Sequence, residues 1–411
     1  MSGSLNYNAV VIGGGTGTQA SIRACLQASF NTTAVVAMAD DGGSSGMLRM
    51  HGTKSQPCLP PGDIRNCLTA MAASEQDPWV MTFRQRLKHL HNHSLGNLII
   101  QSLCEQTGSF VEAIALCEQL LGCKGKVLPS TLCDINLRGF TRDGRVIEGQ
   151  SAICASGTAL QSVELFSGDY QAKEASQRCT SQHNTSQHNS FAHNTHENNA
   201  FRDDDFGRTL TQNSVAQNSC KPITAYRPAL DAIKSADIIV LGPGSLFTSI
   251  IATLQVPGIL DAINNSKAVC AYIAPLTDSQ GETWGLSLPE LVQALKESGL
   301  SKHRLDVLIA HDKRVPCRSG NVTAAFKAVV SRENQVSLDS KLTKKIDSAN
   351  GNTHVMTISD NDMLRLQTLV PKVFVRRLIK ENDSADQPRH DVLALARLLL
   401  EVAKDCRLQP R

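Results

Sequence analysis

The chain has 411 residues, of which 41% are hydrophobic, enough for one large α/β domain or for two to three smaller ones. Its 41 basic and 38 acidic residues leave a net charge of only +3, and only 4% of the residues are aromatic. This balance argues against a basic nucleic-acid surface and against stacking of bases on aromatic rings. The 13 cysteines form no Cys-x-x-Cys pair, residues 1–8 lack a basic and apolar signal, and no apolar run reaches membrane-spanning length. We therefore expect a cytoplasmic protein with no nucleic-acid partner and no membrane insertion.

The first hundred residues alternate between strand and helix patterns. Apolar strands are predicted at 9–12 and 33–39, and helices at 19–28, from about 64 and from about 98. The second strand is a continuous apolar run, which is typical of a parallel strand covered on both faces. This rhythm predicts an α/β fold: a Rossmann-like, doubly wound and mainly parallel sheet.

The rest of the chain changes character twice. Residues 135–150 have the pattern of a β-hairpin that turns at Asp143-Gly144. The stretch 171–220 repeats Ser-Gln-His-Asn and lacks apolar periodicity, so we predict a disordered insertion, with a histidine metal site as the weaker alternative. The α/β pattern then resumes, with strands at 237–241, 268–273 and 305–309 and a helix at 289–297. We divide the chain into a first part of the core (1–165), the insertion (171–220), a second part of the core (221–310) and a C-terminal extension (311–411) that ends in a helix near 391–402.

The first strand leads directly into a glycine cluster. It reads Gly13-Gly14-Gly15-Thr16-Gly17. Glycines let a backbone approach a ligand closely, and the free N–H groups of the following helix attract an anion. Thr18 occupies the position of the third glycine in the dinucleotide fingerprint Gly-x-Gly-x-x-Gly, so the match to that motif is imperfect. We interpret the loop as phosphate-binding, and a merely tight strand–helix connection is the alternative.

Four further loops of similar character follow, and a fifth is shorter. They contribute Asp40, Asp41, Gly42, Gly43, Ser44 and Ser45; Gly62, Asp63, Arg65 and Asn66; His93, Ser94 and Asn97; Gly242, Pro243, Gly244, Ser245, Thr248 and Ser249; and Thr277. Structural roles remain open for Asp63 and Ser94 as helix N-caps and for His93 as a solvated loop residue. Loops at the carboxyl ends of parallel strands converge on one crevice, which predicts a single nucleotide site.

The acidic residues in these loops need a reason to lie near phosphate. Adjacent carboxylates would repel a phosphate unless one of them holds a ribose hydroxyl, a base or a metal ion. We predict Asp40, Asp41 and Asp63 as candidate ligands of a magnesium ion. A contact with a ribose or a base, and a capping or turn role, remain open for Asp40 and Asp41. Arg65 is suited to bind the phosphate itself.

Taken in order, these loops resemble the bacterial gluconeogenesis factor family, whose members are relatives of phospho-L-lactate transferase. The matching strings are Val-Ile-Gly-Gly-Gly-Thr-Gly at 11–17, Ala-Asp-Asp-Gly-Gly-Ser-Ser-Gly at 39–46, Pro-Pro-Gly-Asp-Ile-Arg-Asn at 60–66, His-Ser-Leu-Gly-Asn at 93–97 and Leu-Gly-Pro-Gly-Ser-Leu-Phe-Thr-Ser-Ile at 241–250. Three features depart from the family pattern. The asparagine expected before the Thr277 loop is absent, and Pro275 lies nearby instead. The spacing from Thr277 to Gly281-Glu282-Thr283 is one residue longer than usual, and the 171–220 insertion is foreign to the family.

The resemblance implies a cytoplasmic regulatory protein that binds a UDP-sugar or a related nucleotide. It also implies a role in cell shape and wall synthesis during gluconeogenic growth, wall-synthesis proteins as partners, and a homodimer. The alternative is a magnesium-dependent transferase that moves a group from a nucleotide-activated donor. A nicotinamide-dependent oxidoreductase is a weaker alternative because of the altered fingerprint at Thr18, although NAD binding is compatible with the glycine loop.

Overall fold

The structure, a computed structural model, describes residues 7–50, 58–167, 222–277, 282–301, 303–311, 356–379 and 388–407. In chain order the elements are β1 (Asn8–Gly13), α1 (Gly17–Gln27), β2 (Asn31–Val36), α2 (Gly43–Arg49), α3 (Gly62–Met71), α4 (Pro78–Arg84), β3 (Arg86–Leu87), β4 (His93–Ser94), α5 (Leu95–Thr107), α6 (Phe110–Leu120), β5 (Lys126–Pro129), β6 (Ile135–Thr141), β7 (Val146–Glu148), α7 (Gln150–Ala155), β8 (Leu160–Ser167), α8 (Arg227–Ser235), β9 (Ile238–Leu241), a π-helix (Leu246–Ile251) that continues as α9 (Ala252–Leu254), α10 (Ile259–Asn264), β10 (Val269–Ile273), α11 (Leu288–Glu297), β11 (Val307–His311), α12 (Asp360–Leu369), β12 (Lys372–Arg376) and α13 (Val392–Arg407).

A seven-stranded parallel sheet forms the centre of the fold. Its order is β12-β11-β10-β9-β1-β2-β5, and every neighbouring pair is parallel. The strands are buried on both faces: β9 is buried along its whole length, as the continuous apolar run predicts. The chain builds outward from β1 in both directions, so the sheet has its topological switch point between β1 and β9. This confirms the predicted doubly wound α/β fold and places the crevice that such folds use for ligands beside β1.

The predicted hairpin is also present. Strands β6 and β7 pair in antiparallel register, and the turn residue Gly144 has a φ of +83°, which favours glycine. A third strand, β8, pairs with the other edge of β6. The hairpin is therefore part of a small three-stranded sheet beside the main one.

The predicted 171–220 insertion lies outside the described residues, as does the segment 312–355. The residues after 311 were expected to form an extension, but β12 pairs with β11 at the edge of the main sheet and α13 packs against α1. Among the helices described, none combines the length and apolar character that crossing a membrane requires.

Candidate nucleotide-binding site

A polar cavity of about 240 Å³ opens beside the loop after β2 and the N-terminal end of α3. This volume is below the roughly 300–1,000 Å³ of pockets for drug-sized ligands, so it suits the charged centre of a ligand rather than all of it. The residues that line it are Asp40, Gly42, Gly43, Ser44, Ser45, Gly62, Asp63, Arg65, Asn66, Arg86 and Asn97. Three of the predicted loops therefore meet here, and Arg86 is the lining residue that the sequence did not indicate.

Two half-buried carboxylates share this cavity. Asp40 Oδ1 accepts a hydrogen bond from the Gly42 N–H at 3.0 Å, and Asp63 Oδ1 accepts one from the Gly15 N–H at 2.7 Å. Burial raises the pKa of Asp63 to about 7, and the negative charge of Asp40 adds to this rise. Burial also raises the pKa of Asp40. Two neighbouring carboxyl groups with raised pKa values are difficult to ionise at the same time. A divalent cation bound to both would favour their ionised forms, so the pair suits such a cation.

Positive charge faces these two acids. Arg65 is only 8% exposed, and its guanidinium donates to Asn66 Oδ1 at 2.7 Å. Within the described residues, the buried Nε of Arg65 and the buried Oδ1 of Asn97 have no hydrogen-bond partner. Arg86, on β3, is exposed at the rim. Because buried polar atoms are normally satisfied, these orphan atoms indicate a cavity built for a polar occupant.

Ser44 is held by three neighbours. Its Oγ accepts from the Ser94 N–H at 3.3 Å and from the Asn97 amide at 3.1 Å, and lies 3.0 Å from His93 Nδ1. Both lone pairs of the hydroxyl are thereby used, so its proton is directed at His93. Ser44, His93, Ser94 and Asn97 thus form one network that fixes α2 against the start of α5, and of these four residues Ser44 and Asn97 line the cavity.

Ser45 joins the loop after β2 to α3. Its Oγ accepts from the Gly62 N–H at 3.1 Å and donates to Asp40. A Cβ on Gly62 would lie 2.6 Å from Asp40 Oδ2, so only glycine allows this approach. The serine therefore positions one of the two acids and caps the start of α3.

The glycine loop packs tightly against the other loops. A Cβ on Gly14 would overlap the Asp63 carboxyl group, and one on Gly17 would lie 2.6 Å from the Pro243 carbonyl oxygen. Gly15 has a φ of +69° with open space beside it, and the Thr16 side chain is exposed. The predicted phosphate-binding role and the alternative of a tight connection are both compatible with this geometry. The Gly15 N–H of this loop donates to Asp63 Oδ1.

Thr18 and Gly13 close the back of this loop. The Thr18 hydroxyl donates to the Gly14 carbonyl oxygen at 2.7 Å and is fully buried. A Cβ on Gly13 would lie 2.7 Å from the same hydroxyl. In the dinucleotide fingerprint, the third glycine has no side chain, so helix and strand pack closely at that position. In this chain the side chain of Thr18 occupies the corresponding space.

Asp41, predicted as a magnesium ligand, is directed elsewhere. Its carboxylate accepts from the Gln150 and Ser151 N–H groups at 2.9 and 2.8 Å, at the first turn of α7. It does not line the cavity. Neighbouring residues of an extended segment point to opposite sides, which explains why Asp40 and Asp41 separate. The acids available to a cation in the cavity are Asp40 and Asp63.

The loop after β9 was predicted to bind an anion, and in the structure it contacts the carboxylate of Glu282 in the same chain. Thr248 donates from its N–H and its hydroxyl to Glu282 Oε2, at 3.2 and 2.8 Å. Gly242, Pro243 and Gly244 are buried, whereas Ser245 is half-buried. Ser249 is buried, and its Oγ lies 3.3 Å from the position of a Cβ on Gly14. Neither this loop nor Thr277, which is half-buried after β10, lines the cavity.

Among the described residues, no group of three or more His, Cys, Asp or Glu side chains is arranged to hold a metal ion. A cation at Asp40 and Asp63 would therefore complete its shell with water and ligand oxygens. Mg²⁺ characteristically binds in this way, through one or two carboxylates and substrate phosphates.

The amino-acid sequence matches the family model of 2-phospho-L-lactate transferase CofD over residues 9–356. The gluconeogenesis factor of Halalkalibacterium halodurans is 34% identical over 294 residues, which are 71% of this chain and 73% of that protein. The gluconeogenesis factor of Listeria monocytogenes is 31% identical over 311 residues, 75% of this chain and 78% of that protein. A relative from Nostoc is 33% identical over 315 residues, 75% of this chain, and the match spans 56% of that longer protein.

A solved structure is similar along almost the whole chain. It is a member of the UPF0052 family from Bacillus halodurans, with a TM-score of 0.67, 26% sequence identity and coverage of 97% of this chain and 100% of that one. The residues that line the cavity, between Asp40 and Asn97, lie within the region that matches the family model. The chain therefore belongs to the CofD family and is a relative of the bacterial gluconeogenesis factors.

Proposed function

We propose that this chain is a cytoplasmic regulatory protein that binds a sugar nucleotide, with UDP-sugars as the first candidates. The diphosphate would lie with Mg²⁺ in the cavity between Asp40, Asp63 and Arg65. The observation that carries the proposal is the combination, in one small cavity, of two acids with raised pKa values and two arginines. By analogy with the gluconeogenesis factors, binding would regulate cell shape and wall synthesis during gluconeogenic growth, through wall-synthesis partners and a homodimer.

The charges in the cavity support a metal–phosphate complex. Asp40 and Asp63 alone would repel a phosphate, but a divalent cation between the acids and the phosphate reverses the sign of that interaction. Arg65 supplies a planar set of donors for the phosphate oxygens, and its Nε has no partner in the described residues. The N-terminal end of α3 adds a favourable partial charge.

The hydroxyl groups that line the cavity differ in what they can do. Ser45 accepts from the Gly62 N–H and donates to Asp40, so it is not free to act as a nucleophile. Ser44 lies 3.0 Å from His93 Nδ1, and a serine beside an imidazole can be activated, so an assay for turnover decides between binding and covalent catalysis.

A second function, transfer of a group from a nucleotide-activated donor, is favoured by one observation. With no cation bound to it, Asp63 has a pKa that burial raises to about 7, which is matched to accepting a proton from an alcohol at neutral pH, so in this alternative Asp40 rather than Asp63 would hold the magnesium ion. The match to the 2-phospho-L-lactate transferase model agrees with this alternative. In that case Arg65 would stabilise the charge that develops on the transferred group.

Ligand titration separates the two functions. With a UDP-sugar at 100 times its Kd and Mg²⁺ present, the free energy of unfolding should rise by about 2.7 kcal/mol, and EDTA should remove most of this gain. Arg65→Ala should weaken binding at least about tenfold through loss of a charge-assisted contact. Asp231→Asn, which changes an exposed acid on α8, is the control and should bind normally.

The same samples are assayed for product by chromatography. Stabilisation without turnover supports the regulatory role, and magnesium-dependent product formation supports the transferase. If no nucleotide stabilises the protein, both functions are wrong.

A further inference from the structure

The start of the π-helix that continues into α9 contacts a buried carboxylate. The N–H and hydroxyl of Thr248 donate to Glu282 Oε2 at 3.2 and 2.8 Å. The backbone N–H groups of Leu246 and Phe247 also bond to this carboxylate and lower its pKa. Three consecutive free N–H groups at the start of a helix are an anion site, and here a side chain 34 residues further along the chain fills it.

The carboxylate is held there at a considerable energetic cost. Glu282 is 1% exposed, and its Oε1 has no hydrogen-bond partner within the described residues. Burial raises the pKa of Glu282 despite the bonds that Oε2 accepts. Burial, together with the charge of Glu282, raises the pKa of the neighbouring Tyr272. A glutamine or an apolar side chain would avoid this penalty.

The helix start lies directly behind the glycine loop. A Cβ on Gly244 would lie 2.6 Å from the Gly14 carbonyl oxygen. On its other side, Gly14 meets both Ser249 and the Asp63 carboxyl group of the cavity. Gly14 therefore lies between the Asp63 carboxyl group of the cavity and Ser249, the residue that follows Thr248.

We propose that Glu282 is a specificity-determining residue. Its carboxylate occupies the anion site at the start of the helix, and so confines the phosphates of a bound nucleotide to the Asp40–Asp63–Arg65 cavity. The ligand class that results is a nucleoside diphosphate or its sugar ester, because a further phosphate would meet both a filled site and a negative charge. This inference rests on the proposed nucleotide binding, but the occupied anion site can be tested without any nucleotide.

The first test uses formate, a carboxylate small enough to replace the lost side-chain group. Glu282→Ala should unfold at a lower temperature than the wild type and should regain part of the loss as formate is added, in a saturable manner. Glu282→Gln keeps the volume of the side chain and leaves no space for formate, so it is the matched control and should respond no more than the wild type. Equal formate responses of folded Glu282→Ala and Glu282→Gln would overturn the occupied anion site.

The second test measures specificity and uses Glu282→Gln, which does not depend on the alanine variant folding. The ratio of UTP affinity to UDP affinity should rise about threefold or more relative to the wild type, because one negative charge has been removed near the crevice. An unchanged ratio would overturn the role in specificity. Failure of wild-type protein to bind UDP or a UDP-sugar would instead refute the proposed function, and would leave the formate result to decide the role of Glu282 at the helix start.

Discussion

Replacement of Asp63 by asparagine should stabilise the protein at alkaline pH while it removes ligand binding. The pKa of Asp63 rises from its ordinary value of 3.8 to about 7, first because the carboxyl group is buried and second because Asp40 is negatively charged. The folded protein therefore holds this proton more tightly than the unfolded chain does. The stability that this provides is fully present below pH 4 and is lost as the pH rises through about 7.

The size of the effect follows from the same two pKa values. At pH 8 a rise in pKa from 3.8 to about 7 lowers the free energy of unfolding of the wild type by about 4 kcal/mol relative to a neutral side chain at this position. Asp63 is half-buried, so solvent reduces that figure, and asparagine accepts a weaker hydrogen bond from the Gly15 N–H. We expect a net gain of about 2 kcal/mol in the free energy of unfolding for Asp63→Asn at pH 8, and almost none at pH 4.

Urea denaturation in EDTA at several pH values between 4 and 8 measures this directly. Asp231→Asn, at an exposed ion pair with Arg227, controls for the loss of one negative charge. Adding Mg²⁺ and a UDP-sugar should then stabilise the wild type but not Asp63→Asn. A variant less stable than the wild type at pH 8, or a difference that does not change with pH, would refute the argument that the two carboxylates destabilise the empty cavity.

Three other substitutions test separate parts of the structure. Asp41→Asn should lower stability by about 1 kcal/mol through a weaker contact with the start of α7 but leave nucleotide affinity unchanged; a large loss of affinity in titration would show that Asp41 reaches the ligand. Thr18→Val keeps the side-chain shape but leaves the buried Gly14 carbonyl without its donor, so denaturation should show a loss of about 1–2 kcal/mol, and equal stability would contradict that hydrogen bond. Arg49→Ala removes the buried partner of Asp134, 2.6 Å away, and should cost about 3 kcal/mol by the same measurement; a loss below about 1 kcal/mol would show that the pair adds little.

Five of the seven strands of the main sheet could be predicted from the sequence because they carry their signal locally, whereas β5 and β12 were not predicted. Continuous apolar runs such as β9 reflect burial on both faces, and β1, β2 and β9 lead into loops rich in glycine or small polar residues. The convergence of these loops follows from parallel pairing alone. Strand and helix limits shifted by a few residues, since turns and caps rather than hydrophobicity fix them.

The details of the site depended on geometry that the sequence does not encode locally. Asp40 and Asp41 are equivalent as residue types, yet only the first faces the cavity. Arg86 comes from a two-residue strand with no periodic pattern, and only its pairing with Ser94 brings it to the rim. Glu282 was visible in a Gly-Glu-Thr string, but nothing near it in sequence reveals that Thr248 is its partner.

The packing of α13 on α1 has a consequence for how the protein is made on the ribosome. α1 begins at the glycine loop, and the helix that covers it contains the fully buried residues Leu395 and Leu399. At roughly 5–20 residues per second, the ribosome needs on the order of 20–70 s to pass from one helix to the other. During that interval α1 can already pack against β1, β2 and α3, but the face that α13 covers has no final partner. Burial of that face therefore waits until synthesis is nearly complete, although the glycine loop at the start of α1 is made among the first residues.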